Sequence, residues 1–441
     1  MNPILVKYKY QDLLSIAAIQ GKDIYENELN KLSNLKVFNP DKSLIQVIFA
    51  TYWDTFKLHF SHLLRPAIIE NVEKMIYCKN LSRGYLFFEC PSCDNYHLQG
   101  LSCHSRFCPS CNQTYRLQRT LAIQSKLMDC PHRHFVFSIA KEMRKYFWMY
   151  RGLFDILFQT VNEALHLSIQ KTKDDIKLDR RLGIISFLHS YGRDMKTNPH
   201  IHALVAERLI DKDQNLSVMS FFPFERLRKC WQYLLLKNVS DYLKVHASKD
   251  DYHQFNRLRT FLIKKYKHGF YTYGPQVDKQ PSIQRMKQLA DYIARYASHP
   301  AIAESRIDDF NPVNHTVTWH FDPHEDDHIT NEDLKLGRQS ITEHVYKFMI
   351  KLIKHIPDKG FHLIRYYGFY SNRTTKKPLS IKKILSTSYV LHLKRQINWV
   401  YLLKSAYTYN PIRCHCGSLM MLNLDYSFLP NSTKEGFISD A

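Results

Sequence analysis

Three groups of residues in this chain have types and spacings that could do chemistry. The first is an imidazole pair in Asn198-Pro199-His200-Ile201-His202-Ala203-Leu204-Val205. In a strand, residues i and i+2 point to one face, so His200 and His202 share a side while Ile201 enters the core. Two imidazoles held this way make half a site for a divalent ion. His189 ends the preceding apolar run. A hairpin would set it opposite His200 or His202 on that face, as a third ligand. The alternative, for a His-x-His alone, is a solvated pair on an exposed sheet. His132-Arg133-His134 is a competing pair with Arg at its middle. It suits a buried strand less well and is expected to line the site or touch phosphate.

The second group is Tyr292 and Tyr296, four residues apart on a helix predicted over 284–298. At that spacing the phenols stack about 6 Å from each other. Met286, Leu289, Ile293 and Ala297 make the apolar face, with the tyrosines beside it. Arg285, Arg295 and His299 fall on or near the tyrosine stripe and are candidate DNA-binding residues. Cations there would bind phosphate and ease phenolate formation. The alternative is an ordinary packing pair. With a metal held by imidazoles, the set implies phosphoryl transfer. A phenolate attacks a polarised phosphodiester, leaving a covalent phosphotyrosine and a free 3′-hydroxyl.

The third group is cysteine. Cys90-Pro91-Ser92-Cys93 and Cys108-Pro109-Ser110-Cys111 are two Cys-x-x-Cys knuckles fourteen residues apart. Knuckles so spaced can converge on one tetrahedral zinc, and four thiolates leave it no open position, so the site is structural. Cys78, Cys103, His97 and His104 lie near enough to complete a second site or replace a ligand, Cys103 first among them. Cys414-His415-Cys416 is too compact to form a knuckle alone, and Cys130 and Cys230 read as core.

These side chains need elements to position them. Residues 44–77 read as two helices, through Ile45, Val47, Ile48, Tyr52 and Phe56 and then Leu63, Ile68, Ile69, Val72 and Met75. Residues 78–111 are cysteine-rich with short strands such as 85–88, and 112–129 read as a helix. His134–Ile139 reads as a strand and 141–173 as a long helical region. Gly183–Ser190 and Pro199–Glu207 read as a hairpin around an eight-residue loop. Helices follow over 222–247 and 251–267, with a strand at 315–321. The expected class is α+β. The expected domains are a helical extension (1–43), a zinc-binding, DNA-binding module (44–130), a catalytic domain (131–375) and a basic tail (376–441).

Lys and Arg outnumber Asp and Glu by 62 to 41, a net charge of +21. That excess implies a polyanionic partner. The first 22 residues do not read as a signal peptide, and no stretch approaches the ~18 apolar residues of a membrane helix. An intracellular setting is expected, where clustered cysteines bind metal rather than pair.

These motifs together resemble the HUH-type two-tyrosine transposases of rolling-circle insertion sequences, which carry an N-terminal zinc-binding domain. The matching segments are ENVEKMIYC (70–78), FECPSC (88–93), LSCHSRFCPSC (101–111), CPHRHFVFSI (130–139), SYGRDMKTNPHIHALV (190–205), DYIARYASHPAIAESRI (291–307) and HIPDKGFHLIRYYGFYSN (355–372). The resemblance implies a zinc-ribbon-like module followed by an HUH endonuclease domain on a central antiparallel sheet. It puts the catalytic tyrosines at Tyr292 and Tyr296, the ion's histidines at His200 and His202, and structural zinc at Cys90, Cys93, Cys108 and Cys111. It implies Mg²⁺ or Mn²⁺ at the histidines, with single-stranded element ends and target DNA as partners. The setting implied is the bacterial cytoplasm, on the nucleoid when DNA is bound. Two features depart from the pattern: the segment between Trp319 and Ile341 is short and acidic, and the C-terminal cysteines are contracted to Cys-His-Cys. A replication initiator of the same HUH class, and a zinc DNA-binding protein with decayed catalytic residues, are the alternatives. An element-end hairpin and a nicking assay discriminate them.

Overall fold

The computed structural model describes residues 5–7, 36–38, 43–93, 95–170, 179–213, 215–219, 222–274, 301–323, 337–371, 410 and 412–429. Among them the class is α+β, with antiparallel sheets. The strands β1 (Leu5–Lys7) and β2 (Lys36–Phe38) pair with each other where the sequence suggested helix. The rest of that extension lies outside the described residues.

Helices α1 (Leu44–His59) and α2 (Pro66–Ile76) follow as expected. Ser43 caps α1 through a capping box with Gln46. Gln46 also donates to the Met75 carbonyl (2.8 Å) and accepts from Ser110 (2.9 Å). One buried amide thereby ties α1 to the end of α2 and to the second cysteine knuckle. Strands β3 (Tyr85–Glu89) and β4 (Tyr96–Gly100) form a hairpin, and α3 (Pro109–Gln124) starts inside the second knuckle with Pro at its first position.

Next come β5 (His132–Ser138), the short α4 (Arg144–Met149) and α5 (Leu153–Ile169). The long helix expected over 141–173 is thus broken near Tyr150–Gly152. Strands β6 (Arg181–Tyr191) and β7 (Thr197–Ile210) make the expected hairpin, but both run longer, so only residues 192–196 form the loop. Strand β8 (Leu216–Val218), helices α6 (Phe224–His246) and α7 (Lys249–Lys265), and β9 (Thr272–Tyr273) complete this stretch. Then come β10 (Ile307–Asn311), β11 (Thr316–Phe321), β12 (Gln339–His344), α8 (Val345–Ile353), β13 (Ile364–Tyr367) and β14 (Met421–Phe428).

The central sheet has the order β13-β6-β7-β5-β9, with β8 beside β7, and every pairing is antiparallel. Strand alternation decides its two faces. Phe135 and Phe137 of β5, with Ile201, Ala203 and Val205 of β7, face one buried core with α5, α6 and α7. Trp231 of α6, fully buried, donates its indole N–H to the Ser138 carbonyl (2.9 Å) and locks α6 onto β5. The intervening residues face the other way. At one end of that second face, Ile185, Phe187, Leu204 and Ala206 are covered by the end of α3 and by Phe369 and Tyr370. The histidines occupy its other end.

A second core joins α1 and α2 to residues far along the chain. Phe49, Trp53 and Val72 pack with Val317, Trp319, Phe348 and Leu352, and with Tyr191 and Met195 at the tip of the β6–β7 hairpin. Asp358 accepts from both Arg65 and Arg151, fastening α2, α5 and the 356–361 segment at one point. The hairpin tip is therefore held by the cysteine-bearing module as well as by its own sheet.

A candidate three-histidine metal centre and two cysteine clusters

His200 lies directly opposite His189 in the β6–β7 register, and His202 follows on the same face. The nitrogens of His189, His200 and His202 lie within 4.8 Å of one another. His189 Nδ1 is 3.1 Å from His200 Nε2, and the His200 and His202 rings are 4.9 Å apart. His200 Nδ1 donates to the Asn198 carbonyl (2.7 Å), which fixes the tautomer and leaves Nε2 with its lone pair. Burial, reinforced by His200, His134 and His189, holds His202 well below the usual imidazole range. It is neutral at physiological pH, the state a ligand needs. Ring nitrogens suit transition ions and accept Mn²⁺ more readily than the oxygen-seeking Mg²⁺.

The competing pair divides. His134 stacks on His202 (centroids 5.1 Å), with its Nε2 2.9 Å from His202 Nδ1. His132, on the same face, lies at the closed end. Its Nδ1 is 2.7 Å from the Cys130 carbonyl and its Nε2 bonds the Tyr370 hydroxyl. Burial lowers His132 to about 4. Arg133, on the opposite face, is buried in an ion pair with Glu207 (2.7 Å). That pairing explains an arginine inside a sheet strand.

Tyr191 packs edge-on against His189, with centroids 4.1 Å apart. Burial raises its phenol above the ordinary value, so it stays protonated and serves as a wall. His355 backs Tyr191 (centroids 5.0 Å) and contacts Ser190 Oγ (3.1 Å), and burial lowers it to about 3. No spacing in the sequence pointed to His355, because its partners lie about 160 positions away. Tyr292, Tyr296, Arg285, Arg295 and His299 lie outside the described residues.

The cysteines divide differently from the expected set. Cys90 and Cys93 do not share a cluster with Cys108 and Cys111. Cys108 and Cys111, at the start of α3, meet Cys78 from the end of α2 and Cys103 from the loop after β4. Sγ separations of 3.4 Å (Cys78–Cys111) and 3.7 Å (Cys103–Cys111) compare with the roughly 3.8 Å edge of a zinc–thiolate tetrahedron. Hydrogen bonds with Cys103, Cys108 and Cys78 hold Cys111 below its ordinary value, whereas those with Cys103, Cys111 and Cys78 raise Cys108. A cation among them would relieve that competition for the proton. Cys90 and Cys93 are carried to the other end of the β3–β4 hairpin, where they meet Cys414 and Cys416. The physical reason is the hairpin itself, which separates the two knuckles by the length of its strands.

Residues 48–139 match the family model described as a transposase zinc-binding domain, and residues 183–378 match the one described as "Putative transposase". Over both stretches the chain is similar to transposases. The first match spans the cysteines from Cys78 to Cys111, and the second spans the histidine hairpin and the Tyr292 segment. The chain is 26% identical, over 70% of its length and 72% of the relative's, to the transposase for insertion sequence element IS801 of Pseudomonas savastanoi pv. phaseolicola. It is 23% identical, over 76% of its length and 81% of the relative's, to "Putative transposase y4qJ" of Sinorhizobium fredii (strain NBRC 101917 / NGR234). No solved structure matches it. Among the described residues no helix is long and apolar enough to cross a membrane.

Proposed function

We propose that this transposase nicks and rejoins single-stranded DNA through a covalent 5′-phosphotyrosine, mobilising its element by a rolling-circle-like route. The observation that carries the reading is the three-imidazole cluster of His189, His200 and His202 on paired strands. The divalent ion these residues would hold supplies charge stabilisation to a scissile phosphate. The residues themselves do the rest. Asn198 orients His200, and His134 and Tyr191 close the sides of the site.

Tyr292 or Tyr296 is the nucleophile. Its phenol loses a proton and its oxygen bonds phosphorus, while the bond from phosphorus to the 3′ oxygen breaks and that oxygen leaves as a hydroxyl. Rejoining reverses the exchange with a second 3′-hydroxyl and restores the phenol. A second tyrosine allows a second cut while the first is occupied. The described flanks of residues 275–300 support this assignment. Before them, Tyr273 of β9 pairs with Val136, whose other partner is His202. After them, Ala301 and Ile302 share a core with Tyr191 and Met195. The segment thus leaves and returns beside the histidine hairpin.

Zinc is structural, held by Cys78, Cys103, Cys108 and Cys111 in place of the single set of Cys90, Cys93, Cys108 and Cys111. The test is a nicking assay on single-stranded element ends with Mg²⁺ or Mn²⁺. A covalent protein–DNA adduct is expected, at lower Mn²⁺ than Mg²⁺. It should vanish in Tyr292→Phe/Tyr296→Phe and in His200→Ala. An adduct that survives the double tyrosine change sinks the nucleophile assignment.

A further inference from the structure

Eight of the chain's ten cysteines gather into two clusters of four; the zinc-binding family match spans all of one but only Cys90 and Cys93 of the other. The other is assembled from opposite ends of the chain. Cys90 Sγ lies 3.5 Å from Cys416 Sγ, across 326 positions, and Cys93 Sγ lies 3.5 Å from Cys414 Sγ, across 321. All four sulfurs fall within 4.8 Å of one another. Separations of 3.5 Å are far beyond a sulfur–sulfur bond of about 2.05 Å. They are close to the roughly 3.8 Å edge expected around zinc.

The backbone on both sides is shaped for this meeting. On the N-terminal side, Cys90 N–H donates to the Asn95 carbonyl (2.9 Å) and Asn95 Nδ2 donates to Cys93 Sγ (2.9 Å), closing a knuckle. On the C-terminal side, Gly417 N–H donates to the Cys414 carbonyl (3.0 Å), and Cys414 N–H donates to the Ser418 carbonyl (2.9 Å). Gly417 takes φ +91, a left-handed value that glycine adopts without penalty. That turn lets a Cys-x-Cys present both sulfurs on one side. Around the sulfurs, Ser418 Oγ donates to Ser92 Oγ (2.8 Å). Strand β14 then continues the contact, with Met421, Leu422 and Asn423 opposite Glu89, Phe88 and Phe87 of β3.

We propose that Cys90, Cys93, Cys414 and Cys416 form a second tetrathiolate zinc site, one that staples the tight hairpin of residues 412–420, closed by the Arg413–Leu419 bridge, to the β3–β4 hairpin. The pairing of β14 with β3 is short and irregular, with a register shift between Asn423 and Phe428. Thiolate ligation gives this edge an anchor that its few backbone bonds do not. Binding releases the thiol protons and adds no redox chemistry. The site closes a loop of more than three hundred residues, so its loss leaves each hairpin intact and separates the two.

Metal analysis of the full chain, purified with reductant and zinc, tests this without DNA, so its outcome is independent of the nicking assay. In a His200→Ala background, which removes the imidazole centre, two zinc ions per chain are expected, falling to one when Cys414→Ser/Cys416→Ser is added. Cobalt substituted for zinc should show tetrathiolate charge-transfer absorption that halves in the same variant. The unaltered protein gives a second reading by differential alkylation. Cys90, Cys93, Cys414 and Cys416 should be protected when loaded and should become reactive together on chelation. In the His200→Ala background, one zinc with all cysteines intact or two retained in the cysteine variant, or else a Cys93–Cys414 disulfide in the reduced preparation, would each overturn the site.

Discussion

His132 and His202 stand on the same face of the central sheet, and both are neutral for the same first reason, burial. Their surroundings make them different tools. His202 has three other imidazoles about it, so it sits in a set of ring nitrogens that a cation could share. His132 is sealed beneath Tyr370 and does a structural job. Its folded value of about 4 lies below the ordinary 6.5, so the unfolded chain binds the proton first as pH falls. Stability from this residue is full above about pH 6.5 and is lost as pH drops towards 4, by about 1.4 kcal/mol per unit. Denaturation midpoints between pH 6.5 and 4.5 should therefore fall less steeply in His132→Gln than in the wild type. Parallel slopes would show that His132 takes its proton as freely folded as unfolded. At this scale the sequence was informative where partners are near. His200 and His202 are two apart and His189 is eleven away, and hairpin logic suffices. It could not group the cysteines, because a knuckle's spacing shows that it binds and not what completes it. Cys414 and Cys416 lie over 300 positions from their partners.

The elements that carry these residues were legible where one period dominated. Alternation marked the strands about His200 and Val317, and apolar spacing marked α1, α2, α6 and α7. The hairpin loop was overestimated, because the polar Thr197 and Asn198 already belong to β7, Thr197 paired with Tyr191. Their polar character reflects the open end of the sheet and not a turn. The long helix after β5 breaks near Gly152, where an added Cβ would strike the Tyr242 ring. A comparable constraint holds β6 against the turn that covers the sheet's closed end. Gly368 has φ +57, and a Cβ there would overlap the Leu182 carbonyl, which is backbone and cannot swing aside. Gly360 has φ +78 with nothing nearby. Gly360→Ala should cost only the left-handed penalty, about 1–2 kcal/mol. Gly368→Ala should cost distinctly more and should release the Tyr370 plug. Equal losses in thermal melts would show that the close approach carries no weight.

Across the whole molecule, the charge of +21 and the shared core matter most. If six phosphates are neutralised on a single strand, each contributes about 0.7 to the salt exponent. Affinity for a single-stranded oligonucleotide should then fall by about two to three orders of magnitude between 50 and 200 mM salt. A flat response would mean that the basic excess plays no part in binding. The shared core was not legible in the sequence, which suggested a module ending near residue 130. Trp319 and Phe348 lie far from Phe49 along the chain, and packing of this range leaves no local pattern. The same separation governs how the chain is made. Strand β3 is finished by residue 89, but its partner β14 begins at residue 421. At about 5–20 residues per second of synthesis, that edge stays open for roughly twenty seconds to a minute. An open edge and two unmatched thiols are what a nascent chain exposes to its neighbours. Messages that stop before codon 414 should therefore yield products that clump, whereas copies that extend past residue 428 close that edge of the sheet.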